Sequence, residues 1–351
     1  MKLPKLPVFF PDATRGLIKS LDTTDIENTK TSGILVNTYH LYKDLGIEYI
    51  KKRGGIKKFM DFKGFVISDS GGFQVGSLIK MNPTAGFVND KGATFKPVGE
   101  KIVRLTPEDS IKFQMELGSD MVVVLDDFTD PKASYDEAKK SVERTILWAK
   151  RSKDEYDRIC LQKKMTGEQR PLILGVVQGG YFQDLRAVCA KELEKIGFDG
   201  FGYGGWPMNL DGSFDLESAK TIADNTPDGY LLYGLGIGMP EDIVALSKLG
   251  YNIFDCVLPT RDARHGRAYI FNGEDIESNH FYDFLMLKKG KTMDDDSRLS
   301  DFCDCLTCKR YTRSYLAHLF KTGDSIAGRL VTIHNLRFYS MLMEKIGILM
   351  K

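Results

Sequence analysis

The chain has 351 residues, of which 42% are hydrophobic and 28% are charged, and its formal net charge is +1. This composition supplies a large core but no overall basic field, so any nucleic-acid binding must use local patches. No apolar run approaches the roughly 18 residues of a membrane span, and the N-terminus lacks the long apolar region of a signal peptide. We therefore expect a cytoplasmic protein without a membrane segment.

Seven apolar segments along the chain each end in a polar or glycine-rich stretch. In chain order they are Ile34–Val36 before Asn37–His40, Phe65–Ile67 before Ser68–Gln74, Met121–Leu125 before Asp126 and Asp127, Leu172–Val177 before Gln178–Gly180, Phe201–Tyr203 before Gly204 and Gly205, Tyr230–Tyr233 before Gly234–Gly236, and Ile253–Phe254 before Asp255. Continuous apolar runs of this length are typical of parallel strands that are buried on both faces.

Helical patterns lie between these segments, at Thr106–Leu117, Tyr135–Arg151, Leu185–Ile196 and Met239–Leu249. Alternating strands and helices, with polar residues at the strands' carboxyl ends, predict an α/β fold of the (β/α)8 TIM-barrel type, whose active site is built from those ends. A doubly wound open sheet shares the alternation, but its ligand residues gather at one switch point. We therefore assign residues 1–295 to a barrel that carries an inserted hairpin region.

Residues 200–205 match the G-x-G-x-x-G pattern of dinucleotide-binding proteins. That motif normally opens a helix whose N-terminus binds the pyrophosphate, whereas Trp206 and Pro207 follow here and no helical pattern begins. We expect instead that Gly204 and Gly205 let the backbone approach a flat ligand closely and offer it an amide.

Asp255 follows the last apolar segment and precedes three arginines, Arg261, Arg264 and Arg267. Because an unpaired carboxylate is costly to bury, an acid at the end of a buried strand indicates a functional group, and we expect a nucleophile. An ion pair with one of the arginines is the structural alternative.

Three of the six cysteines are closely spaced as Cys303, Cys305 and Cys308, which is the spacing of metal ligands. His334, on the apolar face of a predicted helix over 325–343, is the natural fourth ligand, although a histidine on such a face is more often a core residue. Four protein ligands leave no position for water, so we expect one structural Zn²⁺. It would tie the segment 296–351, including the C-terminal helix, onto the barrel as one structural unit.

Four stretches, Asn37–Leu41, Ser68–Gln74, Gly175–Gly180 and Phe254–Arg261, precede this cysteine and histidine cluster in the chain. Together they resemble the tRNA-guanine transglycosylase family, also called queuine tRNA-ribosyltransferase, from about Pro7 to the C-terminus. The resemblance implies a pentosyltransferase that exchanges guanine at the anticodon wobble position of certain tRNAs for a 7-deazaguanine base. It also implies a homodimer that binds the tRNA anticodon loop.

Base exchange on ribose passes through an oxocarbenium-like centre, which requires one carboxylate to trap the anomeric carbon and one acid to move a proton. By resemblance, Asp255 is the nucleophile that forms a covalent ribosyl intermediate, and Asp69 is the general acid and base. The resemblance places the base against Ser70, Phe73, Asp126, Gln178, Gly204, Gly205, Leu235 and Gly236. Three structural alternatives stay open, because Asp126 could cap a helix, Gln178 could satisfy a loop backbone, and Phe73 could be a core residue.

Arg261, Arg264 and Arg267 are the candidates for tRNA contacts. Two other functions fit the same motifs. One is a related transglycosylase acting on DNA, which the catalytic residues alone do not distinguish. The other is a non-catalytic partner subunit of a tRNA transglycosylase, against which the presence of both Asp69 and Asp255 argues.

The sequence departs from the family after Gly205, where the usual pattern of leucine, small residue, valine or glycine, glycine and glutamate is replaced by Trp206–Leu210. Leu210 stands in the place of the glutamate, and Met208 narrows the space for a bulky substituent. We expect a smaller and less anionic pocket that accepts 7-aminomethyl- or 7-cyano-7-deazaguanine and discriminates against queuine. Asp211, one residue further, could restore the missing charge.

Overall fold

The computed structural model describes residues 3–81, 86–96, 102–209 and 211–350. Its strands are β1 (Val8–Pro11), β2 (Gly33–Val36), β3 (Phe65–Ser68), β4 (Gly86–Asn89), β5 (Gly92–Phe95), β6 (Val103–Leu105), β7 (Met121–Val123), β8 (Leu172–Val177), β9 (Gly200–Tyr203), β10 (Leu231–Gly234), β11 (Ile253–Cys256), β12 (Arg267–Phe271) and β13 (Tyr282–Met286).

Eight of these strands form one parallel sheet in the order β1-β11-β10-β9-β8-β7-β3-β2. Its two ends meet at a parallel bridge between Asp12 and Leu35, where the Ala13 amide donates to the Leu35 carbonyl at 2.7 Å. The sheet is thus a barrel, and the predicted (β/α)8 fold is confirmed. The barrel strand that the sequence pattern did not identify is β1.

The helices are α1 (Thr23–Asn28), α2 (Thr38–Asp44), α3 (Ile47–Arg53), α4 (Ile56–Met60), α5 (Gly72–Met81), α6 (Pro107–Leu117), α7 (Tyr135–Gln162), α8 (Gln183–Ile196), α9 (Leu216–Asp224), α10 (Pro240–Lys248), α11 (Leu258–Arg264), α12 (Leu306–Arg310), α13 (Arg313–Thr322) and α14 (Ser325–Leu349). None of the described helices is both long and apolar enough to cross a membrane.

Two predicted helices are longer than their sequence patterns indicated. The helix expected to end at Arg151 continues to Gln162, because Tyr156 and Ile159 extend its buried stripe beyond a charged stretch. The helix expected to end at Met343 continues to Leu349, with Ile346 still buried. In contrast, α6 ends at the predicted Leu117, where Gly118 takes the left-handed conformation, and it begins one residue after the predicted Thr106, which is its N-cap.

Alternate strand residues face the interior of the barrel. Val8, Phe10 and Ile253 pack there in one cluster with residues of the other strands. On β9 the inward positions are all glycine, because Phe201 and Tyr203 point outward into the helix layer. A Cβ on Gly204 would lie 2.8 Å from Gln178 Nε2. The glycine pattern of residues 200–205 therefore leaves space inside the barrel beside the strand ends.

Two smaller sheets accompany the barrel. The strands β4, β5 and β6 form an antiparallel sheet between α5 and α6, and this sheet is the predicted inserted hairpin region. The β12–β13 hairpin lies outside the barrel sheet and contacts α11 and α14. The cysteines of the C-terminal segment share a buried cluster with residues of α13 and α14. The division of the chain at residue 296 stays a prediction.

Candidate active site

Asp255 ends the inward row of β11 and is 7% exposed. The Tyr233 hydroxyl donates to its Oδ1 at 2.7 Å, and the Gly236 amide donates to the same oxygen at 2.8 Å. Within the described residues, Oδ2 is left for a substrate atom. Burial raises the pKa of Asp255 to about 6, while the two hydrogen bonds act in the opposite direction by favouring the charged form.

Asp69 follows β3 and lies at the same end of the barrel. Its Oδ1 accepts hydrogen bonds from the Thr38 amide at 2.9 Å and the Gly71 amide at 3.1 Å, and its Oδ2 accepts from Asn37 Nδ2 at 2.6 Å. Burial, helped by the nearby carboxylates of Asp12 and Asp255, raises the pKa of Asp69 to about 7 against the effect of the backbone donors. At neutral pH one carboxyl of the pair can hold a proton while the other is ionised.

Gln178 and Asp126 form one hydrogen-bonded pair beside these carboxyls. The Gln178 side chain is fully buried; its Nε2 donates to Asp126 Oδ2 at 2.6 Å, and its Oε1 accepts from the Thr129 amide at 3.2 Å. Gln178 therefore also satisfies a loop backbone, as its structural alternative required. The pKa of Asp126 is raised to about 6 because burial disfavours the charged form more than the Gln178 hydrogen bond favours it. The hydrogen bonds hold this pair in one fixed orientation at the carboxyl end of the barrel strands.

Arg186, which was not identified from the sequence, supports the backbone around this pair. It is 1% exposed, and its guanidinium donates to the carbonyls of Gly180 at 2.8 Å, Gly204 at 3.1 Å and Val177 at 3.2 Å. It also lies over the Tyr203 ring, 4.7 Å from the centroid. One buried cation thus ties the carboxyl ends of β8 and β9 together, which fixes the backbone on either side of Gln178 and Gly205.

The other residues expected to contact the base lie at the same end of the barrel. Ser70 is buried, and its hydroxyl accepts from the Gly72 amide at 3.2 Å. Phe73 is 50% exposed, with its ring edge-to-face to Phe128 at 5.3 Å, so it is not a core residue. Leu235 packs against the barrel interior beside Gly202. The Gly236 amide is already used by Asp255.

The loop after Gly205 carries the departure from the family pattern. The Tyr181 hydroxyl donates to the Met208 carbonyl at 2.5 Å, and Met208 also bridges to Phe214. Leu210 lies outside the described residues. Asp211 is exposed, and its Oδ1 accepts from the amide and the hydroxyl of Ser213 at 2.9 and 2.6 Å. This carboxylate therefore caps its own turn.

The three arginines after Asp255 have different surroundings. Arg261 is 52% exposed on α11, and its one ion-pair contact within the described residues is a long one, 3.8 Å, with Asp262. Arg264 is half-buried and donates to the Thr260 carbonyl at 2.8 Å. Arg267 contacts Asp262 at 3.4 Å and covers the Phe284 ring. None of these contacts involves Asp255. The alternative interpretation of Asp255, an ion pair with one of the three arginines, is therefore not seen among the described residues.

Cys303, Cys305, Cys308 and His334 come together in a buried cluster, with all four potential ligand atoms within 4.8 Å of one another. The distance from His334 Nδ1 is 3.2 Å to Cys308 Sγ and 3.8 Å to Cys305 Sγ. Tetrahedral zinc would separate sulfur and nitrogen ligands by about 3.5 Å. His334 Nε2 lies 2.8 Å from the Tyr269 carbonyl, which orients Nδ1 toward the thiols. The four residues fit a metal ion.

Three further polar residues of the site were missed. Tyr233 resembles an ordinary core residue in sequence, and only the barrel register brings its hydroxyl to Asp255. Asn37 was noted at a strand end, but without a role. Asp12 follows the apolar run Val8–Pro11, so the signal that identified Asp255 could also have identified this carboxylate.

Comparisons with known proteins show which family this chain is similar to. The family model described as queuine tRNA-ribosyltransferase matches residues 3–348. A protein of Mannheimia succiniciproducens named queuine tRNA-ribosyltransferase is 39% identical over 347 residues, covering 97% of this chain and 84% of its own length. Proteins with the same name from Haemophilus influenzae and Vibrio parahaemolyticus are each 37% identical, over 341 and 345 residues, covering 97% of this chain and 84% and 85% of their own lengths.

Proposed function

The chain belongs to the queuine tRNA-ribosyltransferase family, and we propose that it exchanges guanine at the anticodon wobble position of tRNA for a 7-deazaguanine base through a covalent ribosyl-aspartate intermediate. It is a pentosyltransferase that acts on tRNA. The observation that carries the covalent mechanism is the pair of carboxyls at the mouth of the barrel, Asp69 and Asp255, with pKa values raised to about 7 and about 6.

In the first half of the reaction, Asp255 Oδ2 attacks C1′ of the target guanosine. The bond between C1′ and N9 breaks, its electron pair leaves with the base, and Asp69 donates a proton to the departing guanine. An ester between Asp255 and the ribose results. The hydrogen bonds of Tyr233 and Gly236 to Oδ1 hold the carboxylate in place and keep it ionised.

In the second half, the ionised Asp69 takes the N9 proton of the incoming base. N9 then attacks C1′, the ester bond breaks, and the Asp255 carboxylate is regenerated. Two displacements at C1′ retain the configuration of the sugar. The three donors to Asp69, from Asn37, Thr38 and Gly71, support the ionised state that this step requires.

Both bases must fit the same recognition groups. Asp126 can accept from the N–H groups on one edge of a guanine-like base, and Gln178 and the Gly205 amide can contact its carbonyl. The exposed ring of Phe73 is free to stack on the base face. Arg186 supports this geometry through the carbonyls of Val177 and Gly204.

The metal cluster is assigned a structural role in this proposal. We infer that Cys303, Cys305, Cys308 and His334 hold one Zn²⁺. Because four protein ligands leave no position for water or substrate, the metal contributes folding free energy and takes no part in the exchange.

We also propose a cytoplasmic homodimer that binds the anticodon loop. Its location follows from its tRNA substrate. A group of exposed apolar residues near the metal cluster, Phe302, Leu306 and Tyr315, supports an interface on the C-terminal segment. Light scattering coupled to gel filtration measures the oligomeric state.

The test uses purified enzyme, radiolabelled guanine and either bulk tRNA or duplex DNA. We expect label in tRNA and none in DNA. A denaturing gel of wild type with tRNA and a base analogue should show a covalent adduct that is absent for Asp255→Ala, since only this carboxylate can form the ester. Asp69→Asn should bind tRNA without turnover, because an amide cannot donate and recover the proton. An adduct that persists in Asp255→Ala would assign the nucleophile to another residue.

A further inference from the structure

Asp12 is a third carboxylate at the mouth of the barrel, and the exchange chemistry described above does not use it. It directly follows β1, which lies between β11 and β2 in the closed sheet. Asp255 ends β11, while Asn37 follows β2 and donates to Asp69. Asp12 is therefore flanked by the strand of the nucleophile on one side and by the support of the proposed proton donor on the other.

The register places the Asp12 side chain on the inner face of the barrel. Phe10 pairs with Asp255, and both belong to the inward row of their strands. Asp12 is two residues beyond Phe10, and its bridge partner Leu35 also belongs to the interior cluster. Because inward residues alternate along a strand, Asp12 lies one layer above Asp255, toward the mouth. A substrate whose C1′ meets Asp255 must occupy this layer.

The surroundings of Asp12 indicate a function beyond packing. Thr14 Oγ1 donates to Asp12 Oδ1 at 2.7 Å, and no ion pair of Asp12 is present among the described parts of the chain. Arg264 and His40 approach it only closely enough for a weak electrostatic effect, and burial raises the pKa of its carboxyl. Thr14, through its hydroxyl and its backbone amide, is the hydrogen-bond partner of Asp12 within the described residues, so this half-buried carboxylate can still accept a further donor.

The stereochemistry of the reaction identifies that donor. In a β-nucleoside the base leaves from one face of the ribose, so the nucleophile approaches the opposite face, which also carries the 2′-hydroxyl. The 3′ and 5′ oxygens of an internal nucleotide are esterified to phosphate, and a carboxylate would repel those anions. The 2′-hydroxyl is therefore the sugar donor that a carboxylate beside Asp255 can meet.

We propose that Asp12 accepts a hydrogen bond from the 2′-hydroxyl of the target nucleotide and thereby restricts the exchange to RNA. This inference rests on the proposed function. A hydrogen bond to the 2-hydroxyl of a sugar strengthens as the oxocarbenium-like centre develops, so Asp12 contributes to the rate and to the choice between RNA and DNA.

The experiment combines one change in the enzyme with one change in the substrate. Two synthetic RNA anticodon stem-loops are compared, one all-ribose and one with a single 2′-deoxy sugar at the target guanosine, and kcat/KM is measured from incorporation of labelled guanine. For wild type, the deoxy sugar should lower kcat/KM by about 10- to 100-fold, the effect of losing one hydrogen bond to a charged group. This loss opposes intrinsic reactivity, since a 2′-deoxy sugar forms an oxocarbenium ion more readily.

Asp12→Val removes the acceptor, so it should slow exchange on the all-ribose RNA. The deoxy penalty, which is the factor by which the deoxy sugar lowers kcat/KM, should fall to about threefold or less, as expected when the two changes no longer act on one shared hydrogen bond. Asp12→Asn keeps the shape and a neutral acceptor and should show an intermediate penalty. Asp44→Asn is the matched control, because Asp44 lies at the C-terminal end of α2, where it pairs with Arg15. This variant should keep the full loss of kcat/KM on the deoxy substrate. Melting curves check that each variant is folded.

An equal deoxy penalty in wild type and Asp12→Val, or no penalty in wild type, would overturn the role of Asp12 while leaving the proposed function intact. If wild type incorporated no guanine into the all-ribose stem-loop or into tRNA, the proposed function itself would fall, and the inference with it.

Discussion

Asp69 is half-buried and Asp255 is buried, and the two carboxyls also differ in their hydrogen bonds and neighbours. Asp255 receives two donors on one oxygen, and its pKa is raised to about 6. Asp69 receives three donors but also lies near two other carboxylates, and its pKa is raised to about 7. This order of pKa values suits a nucleophile that must be ionised and an acid that must hold a proton.

The order of these pKa values has a consequence for the pH profile. Because Asp255 must be ionised and Asp69 protonated, kcat/KM should be bell-shaped, with limbs near pH 6 and pH 7. Tyr233→Phe removes a donor that favours the charged form of Asp255, so the pKa of this carboxyl rises. The acid limb should therefore move to higher pH by about 1 unit. Stopped assays of labelled-guanine exchange across pH measure the shift.

Tyr251→Phe provides a matched control for this prediction. Tyr251 is also fully buried, and its hydroxyl donates to the Ala219 carbonyl at 3.1 Å, away from the carboxyls. The acid limb of the Tyr251→Phe profile should therefore lie at the same pH as that of wild type. An unmoved limb in Tyr233→Phe, or the same shift in both variants, would contradict the role assigned to the Tyr233 hydroxyl.

Residue roles were predictable where a side chain contradicted its local pattern. Asp255 is an acid at the end of an apolar strand, and desolvation alone makes that position informative. Tyr233 and Arg186 gave no such signal, because a tyrosine in a strand or an arginine in a helix is ordinary until the register and packing bring it to a carboxylate or to strand-end carbonyls. These roles depend on contacts between residues distant in sequence.

At the scale of elements, β9 shows why the glycine pattern was misleading as a motif but informative as structure. Its glycines occupy the inward positions and keep the barrel interior open beside Gln178, with no helix following to bind a pyrophosphate. The two helix ends that were placed too early also have a physical reason. Charged stretches interrupt the apolar periodicity of α7 and α14, whereas tertiary packing continues both helices.

The loop after β9 is expected to determine which 7-deazaguanine base is accepted. Tyr181 fixes the Met208 carbonyl, and Asp211 is engaged in its own turn, so the described part of the loop brings no free carboxylate to the pocket. We predict that 7-aminomethyl- and 7-cyano-7-deazaguanine compete better than queuine, and that Met208→Gly improves competition by queuine.

Competition assays against labelled guanine, with the three bases in turn, test this prediction. Exchange of guanine itself should change little in Met208→Gly, because guanine carries no substituent toward the loop. A clear preference of wild type for queuine would show that the pocket is not narrow.

The C-terminal helices are expected to depend on their metal. Cys308 on α12 and His334 on α14 approach within 3.2 Å, and the cluster joins α12 to the long helix α14. Because loss of a closed metal site removes folding free energy, Cys305→Ser should lower Tm by at least about 5 °C. Wild type treated with a strong chelator should show a comparable loss.

Cys160→Ser is the control for a buried thiol outside the cluster. The chelator should lower the Tm of Cys160→Ser as much as it lowers the Tm of wild type. It should hardly lower the Tm of Cys305→Ser, because this variant has already lost the metal site. Metal analysis of wild type should find one zinc per chain. A chelator that abolished activity without changing the melting curve would contradict a structural role.

At the scale of the whole molecule, the charges nearly cancel, with 49 basic and 48 acidic residues. A tRNA is densely anionic, so binding must rely on a few cations near the barrel mouth and on shape. Arg261 is the most available of the three arginines after Asp255. It is exposed on the helix that follows the nucleophile, and in the described part of the chain its acidic partner, Asp262, is distant. We predict that Arg261→Ala weakens tRNA binding about 3- to 10-fold, the effect of a single lost phosphate contact.

Salt dependence distinguishes a phosphate contact from a general loss of structure. If Arg261 neutralises one phosphate, the slope of log affinity against log salt should fall by about 1 in Arg261→Ala. Lys195→Ala removes another exposed cation, from the last turn of α8. Because barrel helices run antiparallel to the strands, this lysine lies at the end of the barrel opposite the site. Its affinity and slope should match wild type. Equal slopes for Arg261→Ala and wild type would instead mean that the anticodon loop is held by contacts that neutralise no charge at this position.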